Sequence, residues 1–84
     1  MATEAEFTEA SVRIKTLTSR PSNEDLLALY SLFKQASAGD ANGKRPGAFN
    51  MVARAKFDAW SALKGTSTEE ARQRYVDLVN RLLG

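Results

Sequence analysis

The side chains that could do chemistry in this 84-residue chain are its lysines, arginines, tyrosines, serines and carboxylates, because it contains neither Cys nor His. The common zinc, haem and iron–sulfur ligand sets are therefore missing, as are thiol and imidazole nucleophiles. The serines, carboxylates and lysines show no pairing of a nucleophile with a base. We expect no catalytic residue, no metal site and no cofactor, and we look instead for non-covalent binding.

One basic, glycine-punctuated stretch, GDANGKRPG at residues 39–47, raises the question of a phosphate-binding loop. A Walker A loop is G-x-x-x-x-G-K-[ST] between a strand and a helix. This stretch has one residue too few between its glycines, has Arg45 at the hydroxyl position and follows a helical pattern. An EF-hand fails too, since Asp40 and Asn42 lack further ligands at the required spacing. We interpret the stretch as a solvated turn, with Lys44 and Arg45 as solvated charges that could steer a ligand without holding it.

Two lysines lie on the apolar side of the helices predicted to carry them. At 100° per residue, Lys34 falls between Leu27 and Tyr30, and Lys56 falls beside Trp60. Either lysine alone could lay its methylenes on apolar surface while its ammonium group reaches water. Two such lysines on different helices, each near an aromatic ring, indicate a ligand site.

Two further residues could belong to this site. Tyr75 lies in the apolar arc of its helix, where a core tyrosine is the ordinary interpretation, but a buried hydroxyl needs a partner. Lys15 lies at the edge of the first apolar stripe and is a flanking charge unless that helix faces the same site. Together these residues predict a groove with apolar walls, aromatic rings and at least two ammonium groups, suited to an amphipathic anion.

Four amphipathic helices are predicted to position these side chains. Each shows apolar residues at helical spacing together with signals for its ends, and strand alternation is absent. The first predicted helix runs from about Glu4 to Leu17, after a capping box of Thr3 with Glu6, and the second runs from a start at Ser22 and Asp25 to near Gly39. The third runs from a cap at Asn50 to Gly65. The fourth runs from a capping box of Ser67 with Glu70 to the C-terminus.

The connections predict an all-α four-helix bundle. Short turns should pair the first helix with the second and the third with the fourth, each antiparallel. The link from Gly39 to Phe49 is long enough to cross the bundle.

Length and charge predict a single domain, residues 1–84, too small for a deep cavity. The net charge of +2 is small and evenly spread, which argues against nucleic acid as a partner. The start, MATEAEF, is acidic, and uncharged runs such as LLALYSLF are far shorter than the ~20 residues of a membrane span. We expect a soluble, cytoplasmic monomer without a transmembrane segment.

The residues LLALYSLFKQASAGD, RPGAFN, RAKFDAWSALKGTSTEEA and RYVDLV resemble the acyl-CoA-binding protein family, from about Phe7 to Val79. The specific motifs are Y-x-x-[FY]-K-Q-A with a following G-D, R-P-G, and A-K-[WF]-D-A-W-x-x-L-K-G. The resemblance implies an up-down-down-up bundle with a long overhand connection between the second and third helices. It also implies non-catalytic binding, transport and pool formation of medium- to long-chain acyl-CoA esters. Transient contact with acyl-CoA-using enzymes or membranes would fit such a role.

The resemblance also implies roles for particular residues. Tyr30, Lys34 and Lys56 would meet the 3′-phosphate of CoA. The other implied ligand-binding residues are Phe33 and Tyr75 around the adenine, Lys15 near the headgroup, and Leu27, with Leu26 and Ala55, along the acyl chain.

The chain differs from the usual family pattern at three positions. Phe33 stands in place of tyrosine, Phe57 in place of tryptophan, and Val52 in place of a lysine near the headgroup. The alternative interpretation from the residues is a helical protein-interaction module, whose lysines meet an acidic partner and which has no lipid ligand.

Overall fold

The computed structural model describes residues 1–84 and contains four α-helices and no strands. Their bounds are Glu4–Arg13 (α1), Asn23–Ala38 (α2), Met51–Ser61 (α3) and Thr68–Leu83 (α4), and a 3₁₀ turn, Ile14–Thr16, continues α1. The prediction of an all-α chain with four helices is confirmed. None of the four helices combines the length and the apolar character that crossing a membrane requires.

Side chains cap three of the four helix starts. Thr3 Oγ1 accepts a hydrogen bond from the Glu6 N–H at 3.1 Å, and the Glu6 carboxylate accepts one from the Thr3 N–H, so the first capping box is complete. Ser22 and Ser67 each accept from the N–H three residues on. Asn50 occupies the N-cap position of α3, but its side chain makes no capping bond because its backbone, at ψ 69°, lacks the extended conformation of the other caps. The cap predicted there is wrong.

Two helix ends differ from the predicted ones. The last turn of α1 narrows to the 3₁₀ form at residues 14–16. Helix α3 stops at Ser61, and hydrogen bonds of Leu63 to the Trp60 carbonyl and of Lys64 to the Ser61 carbonyl wind the chain into a tighter turn. This turn closes at Gly65, whose φ of +90° an L side chain rarely adopts.

The packing order is not the one that the short turns suggested. Backbones approach closely between α2 and α4, α2 and α3, and α1 and α4, whereas α1 and α2 do not pair, nor do α3 and α4. The reason is the broad apolar face of α4, where Ala71 and Val79 are completely buried and their small size admits close neighbours on both sides. Helix α4 is therefore the close backbone neighbour of both α1 and α2, and α3 packs against α2 alone.

Cross-helix contacts establish the directions of the helices. For α2 and α4 the pairs are Gln35 with Thr66, which lies just before α4, and Asp25 with Arg81. For α1 and α4 they are Phe7 with Tyr75 and Arg13 with Asn80. For α2 and α3 they are Tyr30 with Lys56 and Lys34 with Trp60. Residue numbers run oppositely in the first set and together in the other two. The bundle is therefore up-down-down-up, as expected from the overhand connection.

The buried core lies between α1, α2 and α4, and α3 contributes only one buried side chain, Trp60. The molecule measures 35 × 29 × 15 Å. Its thinnest dimension is thus smaller than two helix diameters, each of ~10–12 Å. A fold this thin cannot enclose a ligand deeply, and the sides of α2 and α3 that face away from the core are open to binding.

Polar contacts made by three residues, Trp60, Asp40 and Arg45, fix the connection between α2 and α3. The Trp60 indole N–H donates to the Gly39 carbonyl at 2.8 Å. The Asp40 carboxylate accepts from the Gly65 N–H at 2.9 Å and from the completely buried Gln35 amide at 2.8 Å. These bonds join the start of the connection to the turn after α3.

The third contact gives Arg45 a partner that the sequence did not indicate. Its guanidinium donates twice to the Asp58 carboxylate, at 2.8 and 2.7 Å, in a two-pronged ion pair. Arg45 is therefore exposed to solvent, as predicted, and it also ties the connection to α3 through Asp58. Lys44 is exposed, as expected.

Asp40 should make folding stability depend on acid pH. Hydrogen bonds from the Gly65 N–H and from Gln35 lower the pKa of Asp40 below its ordinary 3.8. The contribution of ionised Asp40 to the free energy of unfolding is complete above about pH 3.8, and it is lost as the pH falls through the lowered pKa. We predict that Asp40→Asn flattens the acid limb of the unfolding free energy, measured by urea denaturation at a series of pH values. Glu9→Gln, which removes an exposed carboxylate outside these contacts, is the matched control, and an equal flattening in both variants would contradict the assignment.

Candidate ligand-binding groove

An open groove runs between the N-terminal halves of α2 and α3, with a volume of about 380 Å³. Apolar side chains from both helices form most of it, since the two helices lie side by side in the same direction. The lining residues are Arg20, Asn23, Leu26, Leu27, Met51, Val52, Ala55 and Lys56. Leu27 and Lys56, both predicted site residues, are thus brought together with the expected apolar wall.

The two predicted lysines make reciprocal contacts across this pair of helices. Lys34 Nζ on α2 lies 4.8 Å from the ring centroid of Trp60 on α3, and Lys56 Nζ on α3 lies 5.3 Å from the ring centroid of Tyr30 on α2. Each ammonium group faces an aromatic π-system, an attraction worth about 0.5–1 kcal/mol where solvent is present. The sequence placed each lysine near rings of its own helix, whereas the structure sets both over rings of the opposite helix.

Ring contact leaves much of each ammonium group free to bind something else. A lysine has three N–H donors and no acceptor, and neither Lys34 nor Lys56 takes part in the ion pairs of the structure, which are Arg45–Asp58 and Arg81–Asp25. Two unpaired cations with adjacent aromatic faces on opposite walls can hold a phosphate group with a neighbouring planar ring.

Phe33 and Tyr75 belong to an aromatic cluster that also includes Phe7 of α1. The Phe7 and Phe33 rings stack at 5.2 Å, and Tyr75 meets them edge-on at 5.2 and 5.8 Å. Phe33 is the outermost ring, at 37% exposure, while Tyr75 is buried. Phe33 and Lys34 are adjacent in α2, so their side chains leave the helix about 100° apart, on neighbouring faces.

Burial raises the pKa of the Tyr75 hydroxyl above its ordinary 10.0, and no hydrogen bond contributes to the shift. The hydroxyl is therefore kept neutral, as a donor, over the whole physiological pH range.

Lys15 is not part of the lysine–ring contacts. It lines an adjoining shallow hollow formed mainly by the segment between α1 and α2. Arg20 and Leu26 line both this hollow and the groove, so Lys15 lies beside the groove rather than within it.

The three departures from the usual family pattern have visible consequences. Phe33 keeps the stacking contact that a tyrosine would make. Phe57 meets Trp60 edge-on at 6.5 Å and so helps to hold the ring beneath Lys34. Val52, 69% exposed, adds apolar surface to the groove where a lysine would add charge.

The sequence did not single out Phe7, Trp60 or Arg20 as functional. Phe7 and Trp60 were assigned to the apolar stripes of their helices, and nothing in the spacing reveals that these rings reach another helix. Arg20 lies in an irregular segment, where no periodicity predicts direction. No group of three or more carboxylates in the chain is placed to hold a metal ion.

Comparison with known proteins identifies the family to which this fold belongs. The model of the family described as acyl CoA binding protein matches residues 4–79, nearly the whole chain. The chain belongs to the acyl-CoA-binding protein family.

Relatives support this membership over almost the full length. An acyl-CoA-binding protein of Brassica napus is 49% identical over 83 residues, covering 99% of this chain and 90% of that protein. Acyl-CoA-binding domain-containing protein 6 of Arabidopsis thaliana is 51% identical with the same coverage. The crystal structure of acyl-CoA-binding protein 2 of Oryza sativa superposes with a TM-score of 0.91 at 48% identity, covering 95% of this chain and 89% of that one.

The acyl-CoA-binding protein family consists of binding proteins rather than enzymes, so the membership supports acyl-CoA as the ligand. The groove and the lysine–ring contacts described above are where such a ligand can be sought.

The environment of Tyr75 can be tested by alkaline titration. Tyr30→Phe leaves Tyr75 as the only tyrosine, since the chain has two. We predict that tyrosinate absorbance of this folded variant rises with a midpoint above 10, and that in urea the midpoint returns to about 10. Because the pKa of Tyr75 is raised in the folded state, its neutral hydroxyl contributes fully to stability below about pH 10. That contribution is lost as the pH rises through the raised pKa. A native midpoint at or below that in urea would contradict the raised pKa of Tyr75.

Proposed function

We propose that the protein is a non-catalytic carrier of medium- to long-chain fatty acyl-CoA esters. The observation that carries the proposal is the reciprocal placement of Lys34 over Trp60 and of Lys56 over Tyr30, directly beside an apolar groove. This arrangement supplies separate sites for the anionic headgroup and for the hydrocarbon chain of one ligand.

The phosphate-binding part of the proposal rests on charge. CoA carries several negative charges, and Lys34 and Lys56 would take the 3′-phosphate between them, each as a mobile point charge with free N–H donors. Each charge-assisted hydrogen bond contributes about 1.5–3 kcal/mol when it is well formed. The Tyr30 hydroxyl, on the ring beneath Lys56, would add a directional donor.

The adenine-binding part rests on the aromatic cluster. Phe33 is exposed enough to stack on an incoming base, and Phe7 and Tyr75 fix its orientation from behind. The base would lie close to the ribose phosphate at Lys34, as it does in a nucleotide.

The acyl-chain part rests on the groove walls. Leu26, Leu27 and Ala55 present apolar surface along the groove, and each methylene withdrawn from water contributes about 0.8 kcal/mol. Affinity should therefore increase with chain length until the groove is filled. Lys15 and Arg20, beside the groove, would add long-range attraction for the anionic headgroup.

Calorimetric titration tests the proposal directly. We predict tight binding of palmitoyl-CoA, weaker binding of free CoA, and little binding of free palmitate, because only the thioester uses both the lysines and the groove. The thioester should be recovered intact after the titration. Equal binding of palmitate and palmitoyl-CoA, or no binding of either, would contradict the proposal and favour a module that binds an acidic protein.

The two lysines should contribute to binding far more than to stability. We predict that Lys34→Ala or Lys56→Ala weakens palmitoyl-CoA binding by about 10- to 100-fold, the loss of one charge-assisted bond. The unfolding free energy should fall by no more than about 1 kcal/mol, the value of a cation–π contact. Lys44→Ala, which removes an exposed lysine of the connection, should leave affinity nearly unchanged. A fall in stability without a fall in affinity would make both lysines structural.

A further inference from the structure

Met51 places a thioether in the apolar wall of the groove. It is the first residue of α3 and lies one helical turn before Ala55, and both residues line the groove. Met51 is also 76% exposed, so solutes in water reach the same side chain that a bound acyl chain would contact. It is therefore both a part of the apolar wall and an accessible reactive group.

The composition leaves the two methionines as the side chains most open to mild oxidants. The chain contains no Cys, two methionines and one tryptophan. Trp60 is only 9% exposed, whereas Met1 and Met51 are exposed to nearly the same extent, 78% and 76%. Met1 lines neither the groove nor any other hollow of the structure. The chain thus contains two thioethers of similar accessibility, of which only Met51 belongs to the groove.

Oxidation by hydrogen peroxide would change the polarity of this thioether and leave the rest of the wall intact. A lone pair of Met51 Sδ attacks one peroxide oxygen, so that an S–O bond forms and the O–O bond breaks. The displaced hydroxide takes up a proton and leaves as water, and sulfur loses the two electrons that peroxide gains. The product, methionine sulfoxide, is polar. A methionine sulfoxide reductase returns it to the thioether while two thiols are oxidised to a disulfide and water is released.

We propose that Met51 is a peroxide-sensitive switch of the groove, whose oxidation to the sulfoxide weakens binding of the acyl chain and whose reduction restores it. The inference rests on the proposed carrier function and adds a regulation of that same site. An acyl chain laid against the sulfoxide would strip its oxygen of water, and the groove walls that replace the water are mainly apolar. The lysine–ring contacts that would hold the CoA headgroup involve no atom of Met51, so headgroup binding should not change.

Mass spectrometry of the peroxide-treated full chain tests whether Met51 lies against the ligand. Without ligand, Met1 and Met51 should be oxidised at similar rates. Palmitoyl-CoA at a free concentration about ten times its Kd should slow oxidation of Met51 by about tenfold, since only the unliganded fraction reacts. Oxidation of Met1 should not be slowed. An equal rate at Met51 with and without palmitoyl-CoA would overturn the inference.

Calorimetric titration before and after peroxide tests the switch itself. In Met1→Leu, which keeps Met51 as the only methionine, oxidation should weaken palmitoyl-CoA binding by about 4- to 15-fold, equivalent to withdrawing one or two methylenes from apolar contact. Binding of free CoA should not change, and a methionine sulfoxide reductase should restore the lost affinity. Met51→Gln, with a polar side chain of similar length, should show the weakened binding without peroxide.

Met51→Leu is the matched control, because it keeps Met1 and presents an apolar side chain that peroxide does not oxidise. Its affinity for palmitoyl-CoA should be the same before and after treatment. An equal loss in Met1→Leu and Met51→Leu, a parallel loss of free CoA binding, or a loss of helical circular dichroism on oxidation would overturn the switch.

The same titrations separate the switch from the proposed function. Full affinity for palmitoyl-CoA with Met51 completely oxidised would refute the switch and leave the carrier function standing. Untreated protein that binds no palmitoyl-CoA would refute the carrier function and the switch with it.

Discussion

The parallel alignment of α2 and α3 is the constraint on which the rest of the molecule depends. Two consecutive helices joined by a short turn would be antiparallel, and the residues now opposite one another would lie at opposite ends of the bundle. The long connection makes the parallel arrangement possible, but length alone does not define a position. The Trp60–Gly39 bond, the Asp40 contacts and the Arg45–Asp58 ion pair define it.

Trp60 serves two purposes in this arrangement. Its indole N–H holds the start of the connection, while its ring carries the Lys34 ammonium group. The same side chain therefore fixes the separation of α2 and α3 and positions a cation between them. Since α3 buries no other side chain, its position depends heavily on these polar contacts, and its remaining apolar residues stay available to the groove and to the surface. The core of α1, α2 and α4 provides stability, and α3 provides the open apolar surface.

Much of the fold could be predicted from local signals. The capping bonds at Thr3 and Ser22 and the left-handed glycine at Gly39 have short-range causes, and the helices they delimit agree closely with those predicted. The pairing of helices was predicted wrongly because it depends on how broad the apolar face of α4 is in three dimensions. The ion pair of Arg45 with Asp58 was missed for a similar reason, since Asp58 lies 13 residues away and nothing in the spacing indicates a contact.

In the candidate site, too, the features with local causes could be predicted from the sequence, and the contacts between helices could not. The positions of Lys34 and Lys56 on apolar faces follow from helical periodicity. The aromatic rings that they contact belong to the opposite helix, and only the assembled bundle shows this.

The proposed binding site is tested most directly by a crystal structure of the protein with palmitoyl-CoA. We predict the 3′-phosphate between Lys34 Nζ and Lys56 Nζ, the adenine on Phe33, and the acyl chain along Leu27. A phosphate bound at Lys44, or an acyl chain in the cleft between α2 and α4, would contradict it.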